Sequence, residues 1–101
     1  MSLSTHVLDA TTGRPAAGLR VELRGVLTAE TDADGRCALV PGDLPAGEYE
    51  LRFDTGGYFA AAGVQTFYPW VTVAFTVRDA AAHHHVPLLL SPWSYTTYRG
   101  S

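Results

Sequence analysis

His85-Val86-Pro87-Leu88-Leu89-Leu90-Ser91-Pro92-Trp93-Ser94-Tyr95-Thr96-Thr97-Tyr98-Arg99-Gly100-Ser101 closes the chain and reads as two strands about a turn. The apolar run through Leu90 is a strand signal, Ser91-Pro92 breaks it, and Trp93 to Tyr98 mixes aromatic with small polar residues. Termini of soluble domains usually fray into polar residues. This one stays patterned to its last residue, which predicts that the tail sits in a subunit contact or in a site.

Upstream, most segments alternate with the period of two that marks strands. Leu3 to Asp9 reads as the first, stopped by a turn at Thr12-Gly13-Arg14-Pro15. Leu19 to Arg24 and Val26 to Thr31 follow, reversed at Gly25. Asp34-Gly35 is a short-hairpin signal leading into Cys37 to Val40. After a loop from Pro41 to Ala46 come Tyr49 to Phe53 and then Trp70 to Val77, with Val71, Val73, Phe75 and Val77 on one face. His83 to Ser91 and Trp93 to Tyr98 complete eight strands. Gly57 to Gly63 is the one helical candidate, with Tyr58-Phe59-Ala60-Ala61-Ala62 between two glycines. The pattern predicts an all-β, two-sheet sandwich built from sequential hairpins, with residues 1–101 as one domain.

Composition narrows the function. Charged residues are 17% of the chain and apolar ones 47%, with five Tyr, four Phe and two Trp. About 25% charge is ordinary, so part of this surface is expected to be hidden in an oligomer. A net charge of -3 argues against nucleic acid, which needs a basic stripe. One cysteine, Cys37, rules out an internal disulfide framework and alternates into the apolar pattern as a core filler. No leader is evident and no apolar run nears the ~20 residues that span a bilayer, so no membrane and a cytoplasmic location are the expectation.

The terminal stretch, closed by Tyr98-Arg99-Gly100-Ser101, resembles the C-terminal signature of the 5-hydroxyisourate hydrolase (transthyretin-related) family. Ser4-Thr5-His6-Val7-Leu8-Asp9, Gly13-Arg14-Pro15-Ala16, Thr31-Asp32-Ala33-Asp34-Gly35-Arg36, Phe53-Asp54-Thr55-Gly56 and Phe67-Tyr68-Pro69 match that pattern in order. The resemblance implies a transthyretin-like sandwich with its helix between the fifth and sixth strands. It implies that the first, fourth, seventh and eighth strands share a sheet facing a partner dimer, in a homotetramer that is a dimer of dimers. The implied substrate is 5-hydroxyisourate, a flat urate-derived ring whose cyclic amide is opened by water; no cofactor is implied.

Taken alone, each candidate residue has an ordinary explanation. His6, on the strand face opposite Thr5 and Val7, reads as a satisfied surface histidine, and Arg36 after a turn reads as solvated. His83-His84-His85 suggests a metal, but a strand points only His83 and His85 the same way. With His6 as a third ligand the set reaches only an open zinc site, which takes about three, and no carboxylate or cysteine stands beside it. No metal is expected. Asp32-Ala33-Asp34-Gly35 lacks the twelve-residue frame of a calcium loop. The resemblance assigns catalysis to His6, Arg36, His85 and Ser101, and substrate binding to Arg36, Tyr98, Arg99, Gly100 and Ser101. These types suit amide hydrolysis. A neutral imidazole accepts a proton from water, while a guanidinium grips a carbonyl edge and steadies an oxyanion. Which histidine is the base stays open.

Four departures from the family pattern matter. His84 stands where tyrosine is usual, Trp70 where an acidic residue is commoner, and the hairpin about Gly25 is short. Ser94 replaces a turn glycine, a position that often needs a positive dihedral. The competing reading is a transthyretin-like protein that binds small ligands without catalysis.

Overall fold

The computed structural model describes residues 3–101. In chain order the elements are β1 (Leu3–Asp9), β2 (Arg14–Pro15), β3 (Arg20–Leu23), β4 (Leu27–Glu30), β5 (Arg36–Val40), β6 (Gly47–Phe53), α1 (Thr55–Ala61), β7 (Val71–Val77), β8 (His84–Leu90) and β9 (Tyr95–Thr97). β1 is the spine of the first sheet. β8 lies parallel along one edge of β1, and β9 is antiparallel outside β8. On the other edge β5 pairs with Leu3 to His6, and the two-residue β2 pairs with Leu8 and Asp9. The second sheet is antiparallel in the order β4-β3-β6-β7.

Alternation decides which residues enter the space between the sheets. β1 turns Leu3, Thr5, Val7 and Asp9 inward and leaves Ser4, His6 and Leu8 on the outer face. β8 buries Val86, Leu88 and Leu90 opposite Leu51 and Phe53 of β6 and Val71 and Val77 of β7. Each such side chain contributes about 1.5–3 kcal/mol by leaving water. Buried polar groups find partners: Thr5 Oγ1 donates to the Val86 carbonyl at 2.6 Å, and Thr31 Oγ1 to that of Ala16 at 2.6 Å. The Tyr58 hydroxyl of α1 donates to Asp9 Oδ2 at 2.9 Å, tying the helix to the end of β1. Burial, and then Asp9, push that phenol up to about 12. Among the described residues no helix is long and apolar enough to cross a membrane.

Several sequence expectations need correcting. The sandwich is not a run of sequential hairpins, because the chain changes sheets between β4 and β5 and β8 joins β1 in parallel. Asp34-Gly35 is therefore a corner, not a hairpin between paired strands. Asp32 closes it: Asp32 Oδ1 accepts from the amides of Asp34 and Arg36, each at 2.9 Å. The Thr12–Pro15 turn contains the short strand β2. α1 begins two residues before Gly57, since Asp54 caps it by accepting from the Gly57 amide at 3.0 Å. Ser94 causes no strain; the described residues include no non-glycine positive φ, and its carbonyl accepts from the Ser91 amide at 3.0 Å. Trp70 lies over the Arg52 guanidinium, 4.4 Å from its centre to the ring centroid.

Candidate active site

Every residue given a catalytic role sits on the first sheet or its trailing end. The strands implied to share a sheet do so, as β1, β5, β8 and β9. Register fixes the neighbours: His6 is opposite Arg36 across β1 and β5, and Ser4 is opposite His85 across β1 and β8. With the outward parity of β1, this puts His6, Arg36 and His85 on one outer face.

Arg36 is delivered by the Asp32 corner. Gly35 has a φ of +73°, and a β-carbon there would collide with the Val7 carbonyl oxygen. Only glycine lets the corner press onto β1, where the Val7 amide donates to the Gly35 carbonyl at 2.8 Å. That contact sets Arg36 beside His6. The Arg36 guanidinium has no hydrogen bond or ion pair among the described residues, which leaves its donors for a ligand.

Gly100 brings the tail to His85. Its amide donates to the His85 carbonyl at 2.8 Å, and a β-carbon would lie 2.5 Å from His85 Cδ2. Ser101 then reaches a cleft of about 320 Å³ whose wall includes Arg36, His85, His83 and Ser4. Three of the four catalytic candidates thus line one cleft. His6 stands at its margin, its Nε2 donating to the Asp34 carbonyl at 2.9 Å. A carbonyl only accepts, so neutral His6 carries its proton on Nε2 and presents Nδ1 as the basic atom. Tyr98 and Arg99 are not in this cleft; they line a second cavity of about 260 Å³ with Phe75 and His84, and His85 borders both.

The triple histidine splits as strand parity requires. His84 is buried, with Nδ1 lacking a hydrogen-bond partner, whereas the His83 and His85 rings stand 6.2 Å apart, 15° from parallel. Among the described residues no three His, Cys, Asp or Glu side chains gather as one metal site. Burial lowers the His85 pKa from the ordinary imidazole value, as do His83, His6 and Arg36, while a hydrogen bond with the Ser4 backbone acts the other way. These influences favour the neutral form of His85, the form able to take a proton. Ser4, whose hydroxyl lies 2.8 Å from His85 Nδ1, was missed as a site residue. Parity in Ser4-Thr5-His6 was the available signal, since it puts Ser4 and His6 on one face.

Known proteins resemble this chain over nearly its whole length. A 5-hydroxyisourate hydrolase of Mus musculus is 47% identical over 111 residues, covering 98% of this chain and 94% of its own. One from Ralstonia nicotianae is 48% identical over 114 residues, covering 98% and 97%. Among solved structures, Klebsiella pneumoniae 5-hydroxyisourate hydrolase superposes with a TM-score of 0.91 at 40% identity, covering 99% and 93%. Sea bream transthyretin in complex with thyroxine gives 0.87 at 32%, covering 99% and 95%. The fold is the transthyretin-like sandwich. With residues 3–100 matched, the chain belongs to the HIUase/Transthyretin family.

Proposed function

We propose that this protein hydrolyses 5-hydroxyisourate to 2-oxo-4-hydroxy-4-carboxy-5-ureidoimidazoline, a step of urate breakdown, with residues 1–101 acting as one cytoplasmic enzyme domain. The observation that carries the reading is the meeting of Arg36, His85 and Ser101 in one cleft with His6 at its edge. Relatives named for this activity, similar over nearly their whole length, support it. The binding-protein alternative leaves a lowered imidazole beside an unpaired guanidinium without a task.

In the reaction, a neutral imidazole, His85 or His6, takes a proton from water as the water oxygen bonds to the amide carbonyl carbon. Arg36 steadies the negative charge that moves onto the carbonyl oxygen; one such donor is worth about 2.7–4 kcal/mol. The carbon–nitrogen bond then breaks and the nitrogen leaves with the proton the imidazole gained. Ser101 orients the ring or the water, Gly100 lets the tail lie on His85, and Tyr98 and Arg99 anchor that tail. No cofactor takes part.

A face this open needs a cover to exclude water. We assign that role to a second such face in a homotetramer, a dimer of dimers with each site enclosed between subunits.

The test generates 5-hydroxyisourate from urate in the cuvette and follows its decay with and without protein. Decay should quicken with the protein, and His6→Ala, Arg36→Ala or removal of Ser101 should each slow it by about 10²–10³ with unchanged far-UV spectra. Decay indifferent to the wild-type protein would overturn the assignment.

A further inference from the structure

The Ser4 hydroxyl stands between two imidazoles, 2.8 Å from His85 Nδ1 and 3.4 Å from His83 Nε2. Ser4 faces His85 directly in the parallel register, while its neighbour on the other side is Ala38 of β5. We propose that Ser4 is a positioning residue: its hydroxyl bridges His83 and His85, grips the His85 ring by Nδ1, and so commits Nε2 to the reacting water. This deepens the hydrolase reading and rests on it.

The His85 ring is held on two flanks. Cδ2 and Nδ1 are both bonded to Cγ, one on each side. Gly100 packs against the Cδ2 flank, where even a β-carbon would lie 2.5 Å away. Ser4 holds the Nδ1 flank. A ring pinned on both sides cannot turn, and its far edge carries Nε2, for which the described residues supply no hydrogen bond.

A hydroxyl has one proton, so Ser4 can donate to one ring nitrogen only while accepting an N–H from the other. When its oxygen accepts from His85 Nδ1–H, its own proton goes to His83 Nε2, and His85 Nε2 keeps a free lone pair. That is the tautomer a general base needs. An imidazole without such a partner favours the proton on Nε2, where it blocks the role. Partners that fix a metal-bound histidine's tautomer are worth about 10–100-fold, and Ser4 is expected to fall in that range. The register explains why a serine reaches: its short side chain spans the gap to His85 on the adjacent strand, and its partner on the other side is the small Ala38.

Three variants test this: Ser4→Ala, Ser4→Val, which has threonine's shape without the hydroxyl, and Ser4→Thr, which restores it. Two readouts are taken on the full chain. Nitrogen-15 resonances of the His85 ring at neutral pH report which nitrogen bears the proton, independently of any substrate. Decay of 5-hydroxyisourate gives kcat and KM. Expected is an Nδ1-protonated His85 in the wild type and Ser4→Thr, and a shift toward Nε2–H in Ser4→Ala and Ser4→Val. In those two kcat should fall about 10–100-fold with KM nearly unchanged, and Ser4→Thr should recover most of it. Unchanged ring resonances in Ser4→Val, or a kcat equal to that of an active wild type, would overturn the role of Ser4. A wild type that leaves the decay unaltered would instead overturn the hydrolase reading, and the ring resonances would still decide whether Ser4 holds His85.

Discussion

His85 is where charge and packing act together. Burial and the nearby His83, His6 and Arg36 all disfavour its charged form, so its pKa is lowered from 6.5. The acid limb of kcat/KM, which reports loss of the neutral base, should therefore fall below pH 6.5. His83→Gln removes one of the lowering influences, and the limb should move up; a profile that stays in place would separate the base from His85. The same depression links to folding. Below about pH 6.5 the unfolded chain takes up this proton more readily than the folded one, so this group's share of stability is lost as pH falls. Gly100 gives a second residue-scale prediction. Gly100→Ala forces the tail away from His85 Cδ2, and displacements near 1 Å cost about 10² in rate. Far-UV circular dichroism should stay unchanged while turnover drops by that amount.

At the scale of elements, the corner Asp32 to Arg36 matters most for the site. Gly35→Ala meets both a positive φ and the Val7 carbonyl, and should destabilise the protein by about 2–4 kcal/mol in urea unfolding. Loss of activity should exceed the loss of folded protein, since Arg36 moves with the corner. This corner also marks where sequence reasoning stopped. Asp-Gly announces a tight reversal, but nothing local says whether the flanking strands pair with each other. They do not: β4 continues beside β3, and β5 crosses to β1. By contrast, parity within β1 and β7 could be read directly, because burial follows the period of two, and β8 departs from it only at buried Pro87. The bounds of β1 matched at both ends, and the split of His83 and His85 from His84 followed from the same rule. The parallel pairing of β1 with β8 joins segments about eighty residues apart, which local pattern does not encode; the family resemblance implied only that the two strands share a sheet. Ser4 escaped because a serine beside a histidine has no chemistry until register brings His85 opposite.

The whole molecule presents more apolar surface than an isolated small domain needs. Phe67 and Trp93 remain 67% and 62% exposed, and Leu8 and Leu89 are register neighbours on the outer face that also carries His6, Arg36 and His85. Covering that face with another copy would hide Leu8 and Leu89 and exclude bulk water from the cleft, so that its fixed charges act more strongly. Leu89→Arg should reduce the sedimenting mass of the assembly and lower turnover while the sandwich persists; a fully active monomer would remove the need for a shared site. Whether this cleft itself carries the hydrolysis is decided by one rate. With 5-hydroxyisourate generated in place, decay per mole of wild-type protein is compared with that of folded His85→Ala at pH 7. A loss of about 10²–10⁴ is predicted, and equal rates would contradict the claim.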